Sequence, residues 1–493
     1  MFFLSILRTY KSIRLLKYII YISILLLTLC NSTSLISQEV AISDELNVRN
    51  YFSYELIGQV DDRIIIYRDK GFTKEVDVYN EDMEHTQFSE FIFEKKKTDV
   101  YTVLGQDTAF QMIYGYLQKD SLVLRMREYD RIVRLIDSTT LIKIPKKDIK
   151  KRFQYKISQD KSKILLSSVT SDNQFIFIMY DCREKRISWT RKLVFEKDYY
   201  KRYEGMILTN DGKIIVHVPS DNSNTNELDF LIINPHSNQQ LEFKVFLGEN
   251  AYTDMYFEFD NINQNLIVCG NYSEKKGKEV VGLYLMKSNI NRINATLVPT
   301  FIKHKSSLGQ ELLQGKKRNR KRIFDDLQVK KIVFRNDGGV LVISEITKEF
   351  SRRSPYNSTY ARNNANSYAR NGWVDHYTDD ILITNINNDM QIDWTKVLYK
   401  KQFSQDDDAV FSSFFVMKTP SRLRFIYNDA IKKSSTVSEY LIDPTGKIAR
   451  NSLLSTEYQN MKLRFQDALQ LSANSILVPS EQNYDLNLVK ITY

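Results

Sequence analysis

Cysteine, tryptophan, proline and glycine are all scarce in this chain of 493 residues, which carries 3 Cys, 3 Trp, 8 Pro and 16 Gly. So little glycine and proline excludes collagen-like and low-complexity sequence. Cys30 ends an N-terminal apolar run, leaving Cys182 and Cys269. Two thiols build no disulfide framework, and without a CxxC or a Cys/His cluster they build no metal centre. They read as small buried hydrophobes, and neither a metal nor a cofactor is expected. GxSxG, HExxH, an EF-hand loop, a phosphate-binding glycine loop and CxxCH are all missing, so no recognisable catalytic motif is present. The five histidines, His85, His217, His236, His304 and His376, are scattered. Beyond the N-terminus no stretch is long and apolar enough to cross a bilayer.

What is plentiful is Tyr (30) and Phe (27), within a composition that is 42% apolar and 26% charged. That is ordinary for a water-soluble protein with a sizeable core, and it leans towards strands. Residues 1–37 stand apart. Arg8, Lys11, Arg14 and Lys17 precede an apolar run, Tyr18 to Leu29, and then small residues with Ser32 and Ser34 in small-x-small spacing. This is the pattern of a signal peptide, cleaved after Ser34 or Ser37. An uncleaved anchor is the alternative, and bulky Leu29 makes Cys30 a poor lipidation site. Without those four basic residues the formal charge drops from +10 to +6, which gives no argument for nucleic acid. The expected location is secreted, periplasmic or on the outer cell surface.

From residue 38 onwards one unit recurs: an alternating strand, a polar turn, then a dense β-branched strand. It reads YELIGQVDDRIIIY from Tyr54, YKISQDKSKILLSS from Tyr155, MILTNDGKIIVHV from Met206 and KIVFRNDGGVLVIS from Lys331. The dense strands start at Ile64, Phe110, Ile164, Ile214, Leu266, Val340, Leu423 and Ile476. Five of the seven intervals lie between 46 and 54 residues, and the longer two contain insertions. A third strand, and usually a fourth, follows in each unit. Four short antiparallel strands per repeat of ~40–50 residues are the signature of a β-propeller blade. The fold expected is therefore all-β, a single propeller of eight blades, with seven as the alternative. The eighth unit stops after three strands at LNLVKITY, and an open edge there would expose unpaired backbone groups. QEVAIS (38–43) is expected to supply the missing strand. The one helix candidate is SSLGQELLQG, near residue 310.

ISW at Trp189 and IDW at Trp394 each follow the turn that closes a third strand, so both rings begin outer strands. With DPTGK at 443–447, the pattern resembles quinoprotein-like propeller repeats, in which such a Trp packs against the neighbouring blade. The chain also resembles uncharacterised secreted bacterial propeller proteins carrying an insertion before a strand like ILITNI. Neither resemblance implies a defined activity; a quinone-dependent dehydrogenase is its remotest implication. TNDGKIIV at 209–216 is not a sialidase-type Asp box, for it lacks the Thr-Trp continuation.

Alternating strand direction places second–third turns and blade connections on one face, and both insertions fall there. The first, 303–326, joins blades five and six and is basic, with Lys316, Lys317 and Arg318 in its densest run. Behind a signal peptide it suits an anionic envelope surface or glycan. The second, 347–378, lies within blade six and is read as an Asn/Tyr/Arg-rich loop. It repeats Tyr-Ala-Arg-Asn at 360–363 and 368–371. Tyr360, Arg362, Tyr368, Arg370 and Trp373 are its candidate contact residues, being types that anchor interfaces or stack on sugars. Asp69, Glu345, Asp429 and Glu481 end second strands on the same face. They suit acid–base chemistry or cationic ligands, or only local turn hydrogen bonds. The reading reached is an exported, non-enzymatic module that binds a protein or glycan at the cell envelope through the insertion-bearing face. The alternative is a polysaccharide hydrolase or lyase working through channel carboxylates.

Overall fold

A computed structural model describes residues 38–172, 174–194, 205–218, 225–235, 240–293, 296–312, 320–353, 372–429, 436–455 and 461–493. These form eight sheets, one per unit of the sequence repeat, antiparallel throughout except where Thr296–Leu297 adds a short parallel strand to the outer edge of blade four. Blade one is typical: Ser53–Val60, Arg63–Asp69, Lys74–Tyr79 and His85–Glu90, in that spatial order. First strands of neighbouring blades touch at several junctions, those of blades one, two, three and four in succession among them, so they line the axis. The turns are tight, and Asp61 (φ 55°), between the first two strands, takes the left-handed conformation that such a hairpin demands.

The dense second strands follow from radial stacking. Each is buried on both sides, because alternate side chains enter different inter-blade layers. Ile64 and Ile66 pack with Leu477, Leu486 and Leu488 of blade eight, whereas Ile65 and Tyr67 pack with Phe110 and Met112 of blade two. Likewise Val340 and Val342 join blade five, and Leu341 and Ile343 join blade seven. Every blade-to-blade junction holds one such layer, including that between blades eight and one, so the ring is closed. Cys182 and Cys269 are free and buried within these layers, as expected.

Closure comes from the N-terminal segment. Glu39–Ile42 pairs antiparallel with the last strand, Glu39 against Thr492 through to Ile42 against Val489. The edge of blade eight is thereby covered, and Val40 and Ile42 pack against its core.

Both tryptophans lie on outer strands, and each is half-buried. The Trp394 indole N–H donates to Pro444 O (3.2 Å) of the next blade. Its ring lies on Gly446 (φ +81°), where a Cβ would stand 2.8 Å from the indole. At the corresponding junction Arg191, stacked 5.1 Å from the Trp189 ring, donates to Asn234 O and Pro235 O, both at 2.6 Å. The two sites grip the same turn through different donors.

The insertions are more built than expected. In the first, the helix Ser306–Glu311 and the 3-10 stretch Arg320–Asp326 set Leu308, Leu312, Ile323 and Phe324 over Leu327, Ile346, Leu382 and Val397. Lys316, Lys317 and Arg318 fall outside the described residues. In the second, the expected loop is corrected at both ends. Val340–Arg353 and Gly372–Ile386 run as paired strands out to Arg353 against Gly372. Gln402–Gln405 adds a third strand alongside Asp375–Thr378. Polar residues such as Thr347, Glu349 and Ser351 hid this arm from apolar periodicity; backbone pairing needs none. Tyr360, Arg362, Tyr368 and Arg370 lie outside the described residues, and Trp373 stands in the arm opposite Arg352.

Candidate binding face

Of the four acids, Asp69, Asp429 and Glu481 stand at the ends of second strands and Glu345 stands within Val340–Arg353, and each meets a cation. Lys74 Nζ lies 2.8 Å from Asp69 Oδ1, and Arg450 Nη2 lies 2.8 Å from Asp429 Oδ2. Arg464 pairs with Glu481, whose Oε2 also accepts from the Tyr54 hydroxyl at 3.3 Å. Glu345 is the extreme case: its side chain and that of Lys400 are both 0% exposed, with Nζ and Oε1 2.7 Å apart.

Around that pair a network binds the root of the arm to blade seven. Ser413 donates to Glu345 Oε2 (2.8 Å), and Lys400 Nζ donates to Gln402 Oε1 (2.7 Å) and Thr378 O (3.1 Å). Gln402 in turn donates to Asn428 O (2.7 Å). Burial pulls the Lys400 ammonium below the ordinary lysine value, and the carboxylates of Glu345, Asp379 and Asp380 oppose that shift.

Above the network lies a cleft of about 700 Å3. The foot of the arm makes one wall, with Glu349 and His376 directly opposite each other. Blade six's inner strand contributes Lys330 and Lys331, and Phe414, Phe415 and Phe465 form the apolar side. Burial, and then nearby Lys418, lower the Lys331 pKa, while Glu258 acts the other way. No carboxylate comes within ion-pair distance of Lys331 among the described residues. Further out, Tyr377 sits between Phe350 (5.8 Å) and Phe403 (5.0 Å), a ring cluster on a face of the arm.

A second cavity of about 530 Å3 opens at the seam between blades eight and one. It adjoins the first, for Ala468 lines both. Tyr51, Phe52, Tyr54 and Glu55 face Arg464, Asp467 and Glu481 there. Glu55, on the innermost strand of blade one, accepts from the Tyr155 hydroxyl of blade three at 3.4 Å. Burial raises its carboxyl to about 7, and the Tyr155 hydrogen bond lowers it only partly. Unlike the other four acids it has no cation at ion-pair distance among the described residues. Sequence reasoning missed both Lys331 and Glu55; the only signal was a charged residue inside an otherwise apolar or aromatic inner strand.

No known protein family matches the chain, and no curated protein does either. Solved structures give low-identity likenesses. An uncharacterized protein of Listeria monocytogenes EGD-e aligns at 12% identity over 70% of this chain and 79% of its own, TM-score 0.37. The β-propeller domain of the Trilobed protease from Pyrococcus furiosus aligns at 10% identity over 84% and 98%, TM-score 0.36. An ulvan lyase described as a new family of polysaccharide lyase aligns at 9% identity over 92% and 95%, TM-score 0.38. The fold itself is settled by the eight sheets and their closed ring of inter-blade layers: the chain is an eight-bladed β-propeller.

Proposed function

We propose that the protein is an exported, non-enzymatic β-propeller that binds a protein or glycan partner at the cell envelope through its insertion-bearing face. The cleft at the foot of the arm carries this reading. It is large enough for a segment of a polymer, it is walled by an insertion the repeat does not need, and it presents a lysine with no carboxylate at ion-pair distance among the described residues. A desolvated charge left unpaired costs stability, and such costs concentrate at functional sites. The acids that would serve hydrolysis, Glu345 and Asp429 among them, are engaged by cations, as a frame requires. The signal-peptide pattern of residues 1–37 and the basic run around Lys316 to Arg318 support placement at an anionic envelope surface.

The test is a chain in which residues 351–374 are replaced by a short turn and Lys331 by Glu, which reverses the charge in the cleft and leaves the Glu345–Lys400 network intact. Full-length and altered proteins are passed over immobilised envelope glycans and over envelope protein fractions. Retention lost in the altered chain, with unchanged melting, supports the reading. Equal retention of both proteins overturns it.

A further inference from the structure

The seam cavity differs from the cleft in the sign of its charge. Arg464 is matched twice, by Asp467 at 2.6 Å and by Glu481. With Glu55 the lining holds three carboxyls against one guanidinium. The Tyr51 ring is already taken by Arg68 and Lys70, both 4.5 Å from its centroid. The Tyr54 ring lies 5.6 Å from Arg464. Phe52 is different: it is 82% exposed at the cavity rim, held there by packing over Gly71 (φ +88°). A ring kept in solvent beside a cation-free carboxyl offers a cation two favourable contacts, an ion pair and an aromatic face.

We propose that the seam cavity receives a cationic side chain, lysine or arginine, of a polypeptide, with Glu55 as its counter-ion and Phe52 as its cover. The identity of the polymer follows from the neighbouring cleft. One strand of ligand crossing Ala468 meets the unpaired Lys331 on one side and Glu55 on the other, so it must carry both an acidic and a basic group. Peptides carry both signs routinely. That last step rests on the binding reading above; capture of a cation by Glu55 does not.

Groups facing Glu55 are the Tyr155 hydroxyl from blade three, Tyr67 with Asp69 and Arg152 nearby, and Arg464, Asp467 and Glu481 across the cavity. Asp69, Asp467 and Glu481 each have a cation partner and Glu55 has none at ion-pair distance among the described residues, so Glu55 is the acid of the site left open to a ligand.

The experiment measures binding of N-acetyl-arginine methylamide by calorimetry, with the uncharged N-acetyl-citrulline methylamide as control, at pH 8 and pH 6. Arginine is expected to bind saturably at pH 8 and about tenfold more weakly at pH 6, since the ionised fraction of a carboxyl titrating near 7 falls by about that factor. Citrulline should not bind, and Glu55→Gln should abolish both binding and its pH dependence while melting as a folded protein. Equal binding of citrulline, or arginine binding unchanged in Glu55→Gln, overturns the proposal. Protein shortened at 351–374 should keep arginine binding, so failure of the arm reading and failure of the seam site are told apart. A peptide with one Arg and one Asp that binds no better than the Arg probe removes the polypeptide assignment.

Discussion

Glu345 and Glu55 are two desolvated carboxyls on one face of the same ring, and they are treated in opposite ways. Glu345 has no exposure at all, and it is satisfied by Lys400 at 2.7 Å and Ser413 at 2.8 Å. Glu55 lines an open cavity and, among the described residues, has only the Tyr155 hydroxyl as a side-chain partner, at 3.4 Å. The first carboxyl closes a network from the arm to blade seven, so its charge is used up inside the protein. The second bears a desolvation cost that the Tyr155 hydroxyl offsets only in part. The difference separates acids that hold the frame from an acid kept for something outside it.

The largest effect is expected where the frame is broken. Lys400→Met leaves Glu345 buried and uncompensated and should cost ~3–5 kcal/mol in urea unfolding. Adding Glu345→Leu should recover most of that loss; no recovery would mean the pair is not the unit described. A residue of the frame alone gives the scale for the comparison. Full burial would make Trp394→Ala cost ~3–5 kcal/mol, and its half-buried ring reduces this to ~1–3 kcal/mol. Retention on envelope fractions should not change in that variant. Glu55→Gln should act in the other direction. The folded-state value of Glu55, about 7, lies above the ordinary 4.5, so the native chain holds this proton more tightly than the unfolded one. Stability is then highest below pH 4.5, declines between pH 4.5 and 7, and levels off above. Removing the titration should flatten that decline and stabilise the protein at pH 8 by ~1–2 kcal/mol, the full shift being discounted for water in the cavity. A variant as steeply pH-dependent as the parent would show that Glu55 is not the desolvated group.

The frame was legible because radial stacking writes itself into sequence. A second strand that feeds two inter-blade layers is apolar at most positions on both faces, which is why RIIIY, KILLSSV and VLVIS stood out and why each start fell within a residue of the observed strand. Closure was legible because the eighth unit lacked a strand and the chain offered one segment to fill it. The arm was not legible, since its strands have no apolar alternation and expose Phe350 while burying Asp375. The acids were legible one by one but their pairing was not: Lys74 lies 5 residues from Asp69, whereas Lys400 lies 55 residues from Glu345. Glu55 left even less trace, because its environment is assembled from blades one, three and eight.

Tyr155→Phe gives the smallest effect and the finest division between the two carboxyls. Among the described residues its hydroxyl is the one hydrogen-bond donor to the Glu55 side chain, and at 3.4 Å it is a weak one. Donation favours the ionised form, so losing it raises the Glu55 pKa further, in the direction opposite to the hydrogen bond's present influence. A bond of ~0.5 kcal/mol corresponds to a few tenths of a pH unit. The pH midpoint of arginine binding should therefore move upwards by that amount, with plateau affinity at high pH almost unchanged. The corresponding cut at Glu345, Ser413→Ala, touches a carboxylate already neutralised by Lys400, and it should alter stability slightly and the binding midpoint not at all. A midpoint that moves in Ser413→Ala but stays fixed in Tyr155→Phe would reverse the roles given to the two acids.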